Sequence, residues 1–208
     1  MICSGTFPVS GFLFNFNGRA ENEKEENGIS AGCQCNVHDG RMRKYSKRWN
    51  RGIGAGRYDT AIASFEEAAG SDDKEEAAEG YCGLGMTYYE QKQYDQALEM
   101  LEKAFDNGTV KTAELCNLAG TSALCKEDYA KALEYIQEGI ALAEEKQGNK
   151  KQEDKKQETL LQEMKYNEII CLEKTADWEM AKEKMSEYQA AYPEDESVAK
   201  EAEFLQTR

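Results

Sequence analysis

Tyr81-Cys82-Gly83-Leu84-Gly85-Met86-Thr87-Tyr88-Tyr89-Glu90-Gln91-Lys92-Gln93-Tyr94-Asp95-Gln96-Ala97-Leu98-Glu99-Met100-Leu101-Glu102-Lys103-Ala104 is the stretch on which the fold turns. Its second half, with Phe105 just beyond it, sets Ala97, Leu98, Leu101, Ala104 and Phe105 at i, i+3/i+4 spacing, which is one apolar face of a helix. In the first half, Gly85 falls inside a helical pattern, where glycine costs about 1 kcal/mol relative to alanine. That cost makes sense if a second helix must approach closely there, with Ala97 expected to meet Gly85 from the partner helix. Tyr94 follows the turn and is expected to wedge between the two helices. The unit is a helix–turn–helix that leaves one face apolar and must stack on a neighbour.

The phrase after the turn recurs on both sides. It appears from Gly56 to Ala68 around Tyr58, from Glu127 to Gly139 around Tyr129, and more weakly from Ala176 to Tyr188 around Trp178. The aromatic residues are separated by 36, 35 and 49 positions, so the array is regular with an insertion in one unit. Ala132, Leu133, Ile136, Gly139 and Ile140 repeat the apolar face of the quoted stretch. Cys116, Ala119, Gly120 and Ala123 precede Tyr129 at the offsets at which Tyr81, Leu84, Gly85 and Tyr88 precede Tyr94.

Together these positions resemble the tetratricopeptide repeat, a 34-residue helix–turn–helix with the order Trp-x2-Leu-Gly-x2-Tyr, Ala-x3-Phe, Ala, Pro. The resemblance covers roughly residues 42–195. The fourth copy keeps Trp178, Ala181 and Pro193 but has Ile169 at the glycine position, so a wider helix pair is expected there. The fold class implied is all-α: a right-handed solenoid of helical hairpins with about three to four repeats and a C-terminal capping helix. The expected divisions are a disordered or loosely attached tail over 1–41 and a helical domain over 42–208. Its repeats are placed at about 42–77, 78–112, 113–161 with an extension, and 162–195, with the cap at 196–207.

The edges of the array read differently. In the first repeat, Gly52, Gly54 and Gly56 crowd the place of the first helix, which is expected to be frayed or short. That glycine run follows no strand pattern and lacks the Lys-Ser/Thr of a phosphate loop. Glu144 to Glu158 is almost wholly charged or amide around Gly148-Asn149, as expected of helix extensions on both sides of a turn. Val198, Ala202, Phe204 and Leu205 give the terminal helix an apolar face, with Ser197 as the expected cap. Phe7, Phe12, Phe14 and Phe16 in the tail are candidates to dock on a groove.

Charge bears on the partner. Of the net −14, residues 1–57 contribute +4 from nine Lys/Arg and five Asp/Glu, and residues 58–208 contribute −18 from 17 and 35. An acidic body argues against nucleic acid, because basic side chains supply most of the affinity for a phosphate backbone. Solubility, or a basic partner surface, is the more natural consequence. The seven cysteines are odd in number and mostly far apart, which is not a disulfide framework and favours a reducing compartment. No apolar run is long enough to span a membrane. Ser30-Ala31-Gly32-Cys33 looks like a lipoprotein cleavage site, but the acidic stretch Glu21 to Asn27 before it cannot be the apolar part of a signal peptide. A cytoplasmic location is expected, with export or envelope association as the alternative.

Little chemistry is in view. The single histidine, His38, lies near Cys33 and Cys35 in a Cys-x-Cys-x2-His cluster, but no distant second pair completes a zinc site. No nucleophile–base arrangement can be assembled around a histidine in the tail. The carboxylates decorate helix surfaces rather than a pocket that would perturb them. Neither catalysis nor a cofactor or metal is expected.

The resemblance implies that the second, fifth, sixth, ninth, twelfth and thirteenth residues of each first helix face a ligand in a concave groove. The partner-binding residues expected on that basis are Glu79, Cys82, Met86, Tyr89 and Glu90 in the second repeat. They are Asn117, Leu118, Thr121 and Leu124 in the third, and Tyr166, Asn167 and Ile170 in the fourth. Gly83, Glu114, Cys125, Glu163, Glu173 and Lys174 complete the positions. One branch of the family clamps the acidic carboxyl terminus of heat-shock chaperones with basic and amide residues. Here Gly83 and Leu118 stand at clamp positions and Glu114 replaces a lysine, which argues against that role. The mixed groove suits a peptide or helix with apolar anchors and some basic residues. A non-enzymatic adaptor that holds a peptide or partner protein is therefore the leading expectation, with a self-associating scaffold or an exported envelope-assembly factor as alternatives.

Overall fold

The computed structural model describes residues 6–9, 12–15, 58–148 and 155–208. Among these residues the chain forms eight α-helices: α1 (Tyr58–Ala69), α2 (Lys74–Glu90), α3 (Tyr94–Asp106), α4 (Ala113–Cys125), α5 (Tyr129–Gly148), α6 (Lys155–Lys174), α7 (Trp178–Ala191) and α8 (Ala199–Gln206). A 3-10 turn, Glu196–Val198, leads into α8. The first helix expected within residues 42–56, and the Cys33, Cys35 and His38 cluster, lie outside the described residues.

Helices α2/α3, α4/α5 and α6/α7 are antiparallel hairpins, and each packs on the next. The turn inside each hairpin is built in the same way three times. Lys92, Glu127 and Ala176 take left-handed φ values of 59°, 64° and 60°. The next residue then donates back into the preceding helix: Gln93 N to Tyr88 O, Asp128 N to Ala123 O and Asp177 N to Leu172 O, each at 2.9–3.0 Å. These bonds satisfy carbonyls that a helix end leaves orphaned. Their recurrence confirms the alignment of the weak fourth copy with the other two.

Helix starts are capped by short polar side chains. Asp73 Oδ1 accepts from Glu75 N at 2.9 Å, Thr112 Oγ1 from Leu115 N at 3.3 Å, and Asp177 Oδ1 from Met180 N at 3.4 Å. At the last helix the expected cap is corrected. Asp195, not Ser197, accepts the backbone bond, from Ser197 N at 3.2 Å, and it caps the 3-10 turn rather than α8.

The close approach inferred at Gly85 and Gly120 is present, with one change of partner. A Cβ on Gly85 would lie 2.7 Å from Leu101 Cγ, and one on Gly120 would lie 2.6 Å from Ile136 Cγ1 and 3.4 Å from Ala132 O. Leu101 and Ile136, one turn beyond the expected alanines, therefore fill the glycine notches. Ala97 and Ala132 are fully buried beside them. With Ile169 in the glycine place, α6 and α7 stay in close backbone approach over less of their length than α2 and α3. Ile169 itself is buried in a second apolar cluster with Met185, Tyr188, Val198 and Leu205. That cluster is closed by α8, as a capping helix requires.

The extension between repeats three and four is seen at both of its ends, α5 reaching Gly148 and α6 starting at Lys155. One departure from an all-helical chain occurs within residues 1–41. Thr6–Val9 (β1) pairs antiparallel with Phe12–Asn15 (β2), matching Phe7 to Phe14 and Pro8 to Leu13. Phenylalanine and valine suit extended backbone, and two-residue separation of short runs is a hairpin signal.

Candidate functional site

The first helices of successive repeats, α2, α4 and α6, approach one another directly, whereas α3 and α5 meet mainly through side chains. Closer spacing along one row of a stacked array curves it toward that row, so α2, α4 and α6 line the inner side. Their sequences fit this double duty. Helix α4 is buried along most of its length and carries its polar groups on a single narrow face.

Near the middle of that face, Asn117 of α4 reaches across to α6 and donates from Nδ2 to Glu163 Oε1 at 3.3 Å. The bond fixes the orientation of the amide, because only its nitrogen can serve a carboxylate. It leaves Asn117 Oδ1 buried without a donor, on a side chain only 6% exposed. One turn along, the Thr121 side chain is 2% exposed, and Oγ1 lacks a hydrogen bond of good geometry, with the Tyr89 phenol of α2 close by. On α6, Asn167 Nδ2 is a buried donor without an acceptor. Native interiors leave few such atoms, and each costs about 1–3 kcal/mol. Asn117, Thr121 and Asn167 all occupy groove positions expected from the sequence.

Electrostatics reinforce the picture. Glu163 is open to solvent, yet the protein on either side of the face thins its hydration and raises its pKa above the usual carboxylate value. No lysine or arginine among the described residues pairs with it. Burial raises the Tyr89 pKa strongly, and the Glu163 charge adds to the rise, so the phenol keeps its proton. Burial likewise raises Glu90. Tyr89 is held by an edge-on contact with Tyr94, with ring centroids 5.6 Å apart.

The other expected groove residues divide. Glu79, Leu118 and Ile170 are half-buried and keep a face outward. Tyr166 is half-buried but turned toward α7, its ring 5.9 Å from that of Tyr188. Cys82, Met86 and Leu124 belong to the main apolar cluster, and Leu124 has no exposed surface. Met86 and Leu124 are thus largely core, and Leu118 and Ile170 supply what apolar surface remains on this face. Gly83 faces the Phe65 ring of α1, where a Cβ would lie 2.3 Å from Cε1. It is a packing notch rather than a ligand contact. Among the described residues no cluster of histidine, cysteine and carboxylate has the makings of a metal site, and no helix is long and apolar enough to cross a membrane.

Residues 53–109 match the family model described as tetratricopeptide repeat. No curated protein matches the chain. Among solved structures, YrrB, described as a TPR protein with an unusual peptide-binding site, superposes with a TM-score of 0.63 at 21% identity, over 78% of this chain and 75% of its own. MamA from AMB-1 superposes with a TM-score of 0.57 at 17% identity, over 79% of this chain and 80% of its own. MamA from MSR-1 gives 0.55 at 17%, over 80% and 86%. At these identities the likeness shows the fold. Residues 53–109 thus match the tetratricopeptide repeat family, and the three identically built hairpin turns and the superpositions give the array the tetratricopeptide-like fold of stacked helical hairpins.

Proposed function

We propose that the chain is an adaptor that binds an extended peptide segment of a partner protein along α2, α4 and α6. The observation that carries this reading is the set of unsatisfied polar atoms on that face: Asn117 Oδ1, Thr121 Oγ1 and Asn167 Nδ2. They include acceptors and a donor, the pairing that a peptide backbone, with one N–H and one C=O per residue, can satisfy. Residues 53–109 match the tetratricopeptide repeat family, whose members generally mediate protein–protein interaction. Selection of a random peptide library on the purified full chain tests the proposal. Enriched peptides that bind the chain and lose affinity to Asn117→Ala and Asn167→Ala support it, and a library that yields no binder overturns it.

A second reading has its own observation. Residues 1–57 carry +4 and residues 58–208 carry −18. Opposite charge on two parts of one chain favours head-to-tail association of copies. Light scattering at several protein and salt concentrations decides between them: a mass that rises with concentration and falls with salt favours self-association, and a constant monomer mass excludes it.

A further inference from the structure

We infer that the Asn117–Glu163 pair forms a subsite for a lysine or arginine side chain of the bound peptide. The inference rests on the peptide-binding reading above and names the chemistry of one position in the ligand.

Three elements converge at this point. Helix α6 supplies the Glu163 carboxylate, α4 supplies Asn117 and Thr121, and α2 supplies the Tyr89 phenol. What they present is oxygen. Glu163 has a carboxylate whose only hydrogen bond among the described residues is the 3.3 Å contact from Asn117 Nδ2. Asn117 Oδ1 is nine-tenths buried with no donor, and Thr121 Oγ1 is in the same condition. A bound carboxylate or phosphate would meet repulsion from Glu163, with neutral hydroxyl and amide donors, and no cation among the described residues, to offset it. A neutral apolar side chain would bury the orphaned oxygens further. An ammonium or guanidinium brings several N–H donors and the missing positive charge at once.

The local charge balance points the same way. The Glu163 pKa is raised by loss of hydration and lowered by the amide bond, and no cation among the described residues contributes. A cation at 3–4 Å would restore the carboxylate to its ordinary range, and the face is open on the side where Glu163 is exposed. Leu118 and Ile170, both half-buried, offer surface for the aliphatic stem of such a side chain or for a neighbouring apolar residue.

The test is a random peptide library selected in parallel on the full chain and on Glu163→Gln. Glu163 is exposed, so the substitution leaves folding intact, which circular dichroism verifies. Peptides taken by the unmodified chain are expected to carry lysine or arginine at one fixed position, and those taken by the variant to lack that bias. For a single selected peptide, Glu163→Gln is expected to weaken Kd by about tenfold or more, as loss of a charge-assisted bond does. Replacing the peptide's basic residue by norleucine should weaken binding to the unmodified chain and change little in the variant. Binders without a basic preference, or an unchanged Kd in Glu163→Gln, overturn the subsite and leave the peptide-binding reading standing. A library that yields no binder to either protein overturns both.

Discussion

Gly80 of α2 lies against Ala69 of α1 so closely that a Cβ placed on it would stand 2.3 Å from Ala69 N and 2.8 Å from Ala69 Cα. The neighbouring atoms are backbone, which cannot swing aside as a side chain can. At Gly85 the nearest obstacle is side chain, Leu101 Cγ at 2.7 Å, and the nearest backbone atom, Leu101 N, stands off at 3.2 Å.

A ranking of variants follows from that difference. Alanine gains about 1 kcal/mol in helix propensity over glycine at either site. Against this, overpacking costs about 1–3 kcal/mol, and more where backbone must move. Both Gly80→Ala and Gly85→Ala are expected to lower the melting temperature, Gly80→Ala by more. Thermal unfolding followed by circular dichroism checks the order, and equal or reversed losses would break the account of how α1 docks.

Glu173 of α6 and Glu201 of α8 meet carboxyl to carboxyl, and each leaves Oε1 buried without a donor. Burial first, then the Glu201 charge, push the Glu173 pKa up to about 8, while Lys174 pulls against them. Tyr166 stands beside both carboxyls and stays neutral. One proton shared between the two groups satisfies an oxygen on each. A carboxyl with a folded pKa above its unfolded value stabilises most below the unfolded pKa, near 4.3, and loses that contribution as pH rises toward 8. Stability is therefore expected to fall across this window, and Glu173→Gln to flatten the fall. Glu90 and Glu163 shift in the same direction, so the difference between variant and parent is the quantity to read. Parallel pH profiles of melting temperature would refute the shared proton.

The cap gives a third prediction. Leu205 of α8 is 1% exposed and sits with Met185 and Tyr188 of α7. The helix is held further by the Trp178–Phe204 edge contact at 6.3 Å and by the Arg208 guanidinium 4.7 Å above the Phe204 ring. A buried Leu→Ala change costs about 2–5 kcal/mol. Because α8 is terminal, Leu205→Ala is expected to release it before the rest of the array unfolds. Hydrogen exchange should show selective loss of protection in residues 199–206. Uniform loss along α2 to α7 would mean instead that the cap and the repeats unfold as one unit.

The periodic part of this molecule was open to reading because its information is local. Tyr94, Ala97 and Leu101 announce a helix face within one turn, and their recurrence at Tyr129, Ala132 and Ile136 announces the stacking. What escaped depends on pairs far apart in sequence or on a conformation that leaves no compositional mark. Lys92, Glu127 and Ala176 take left-handed backbone without being glycine, asparagine or aspartate. Gly80 and Gly83 look like ordinary helix residues until α1 is laid on them. Glu173 and Glu201 belong to different helices. For the proposed groove, position within the repeat points to Asn117, Thr121 and Asn167, each with a buried polar atom that lacks a partner. It could not show that Leu124 is closed into the core, because depth depends on how tightly the first helices pack.

Thr121 sets function against stability most cleanly. Its hydroxyl is buried, 2% exposed, and lacks a satisfactory partner. Valine has nearly the same shape without the polar atom, so Thr121→Val removes a desolvation cost without leaving a hole. The gain is expected to be on the order of 1 kcal/mol, visible as a rise in melting temperature. If the hydroxyl is kept for a ligand, the same variant should bind selected peptides more weakly. A rise in stability together with a loss of affinity would mark Thr121 as a binding residue whose cost the empty protein bears. Lower stability would show that the hydroxyl is satisfied in the folded chain, and unchanged affinity would remove it from the site.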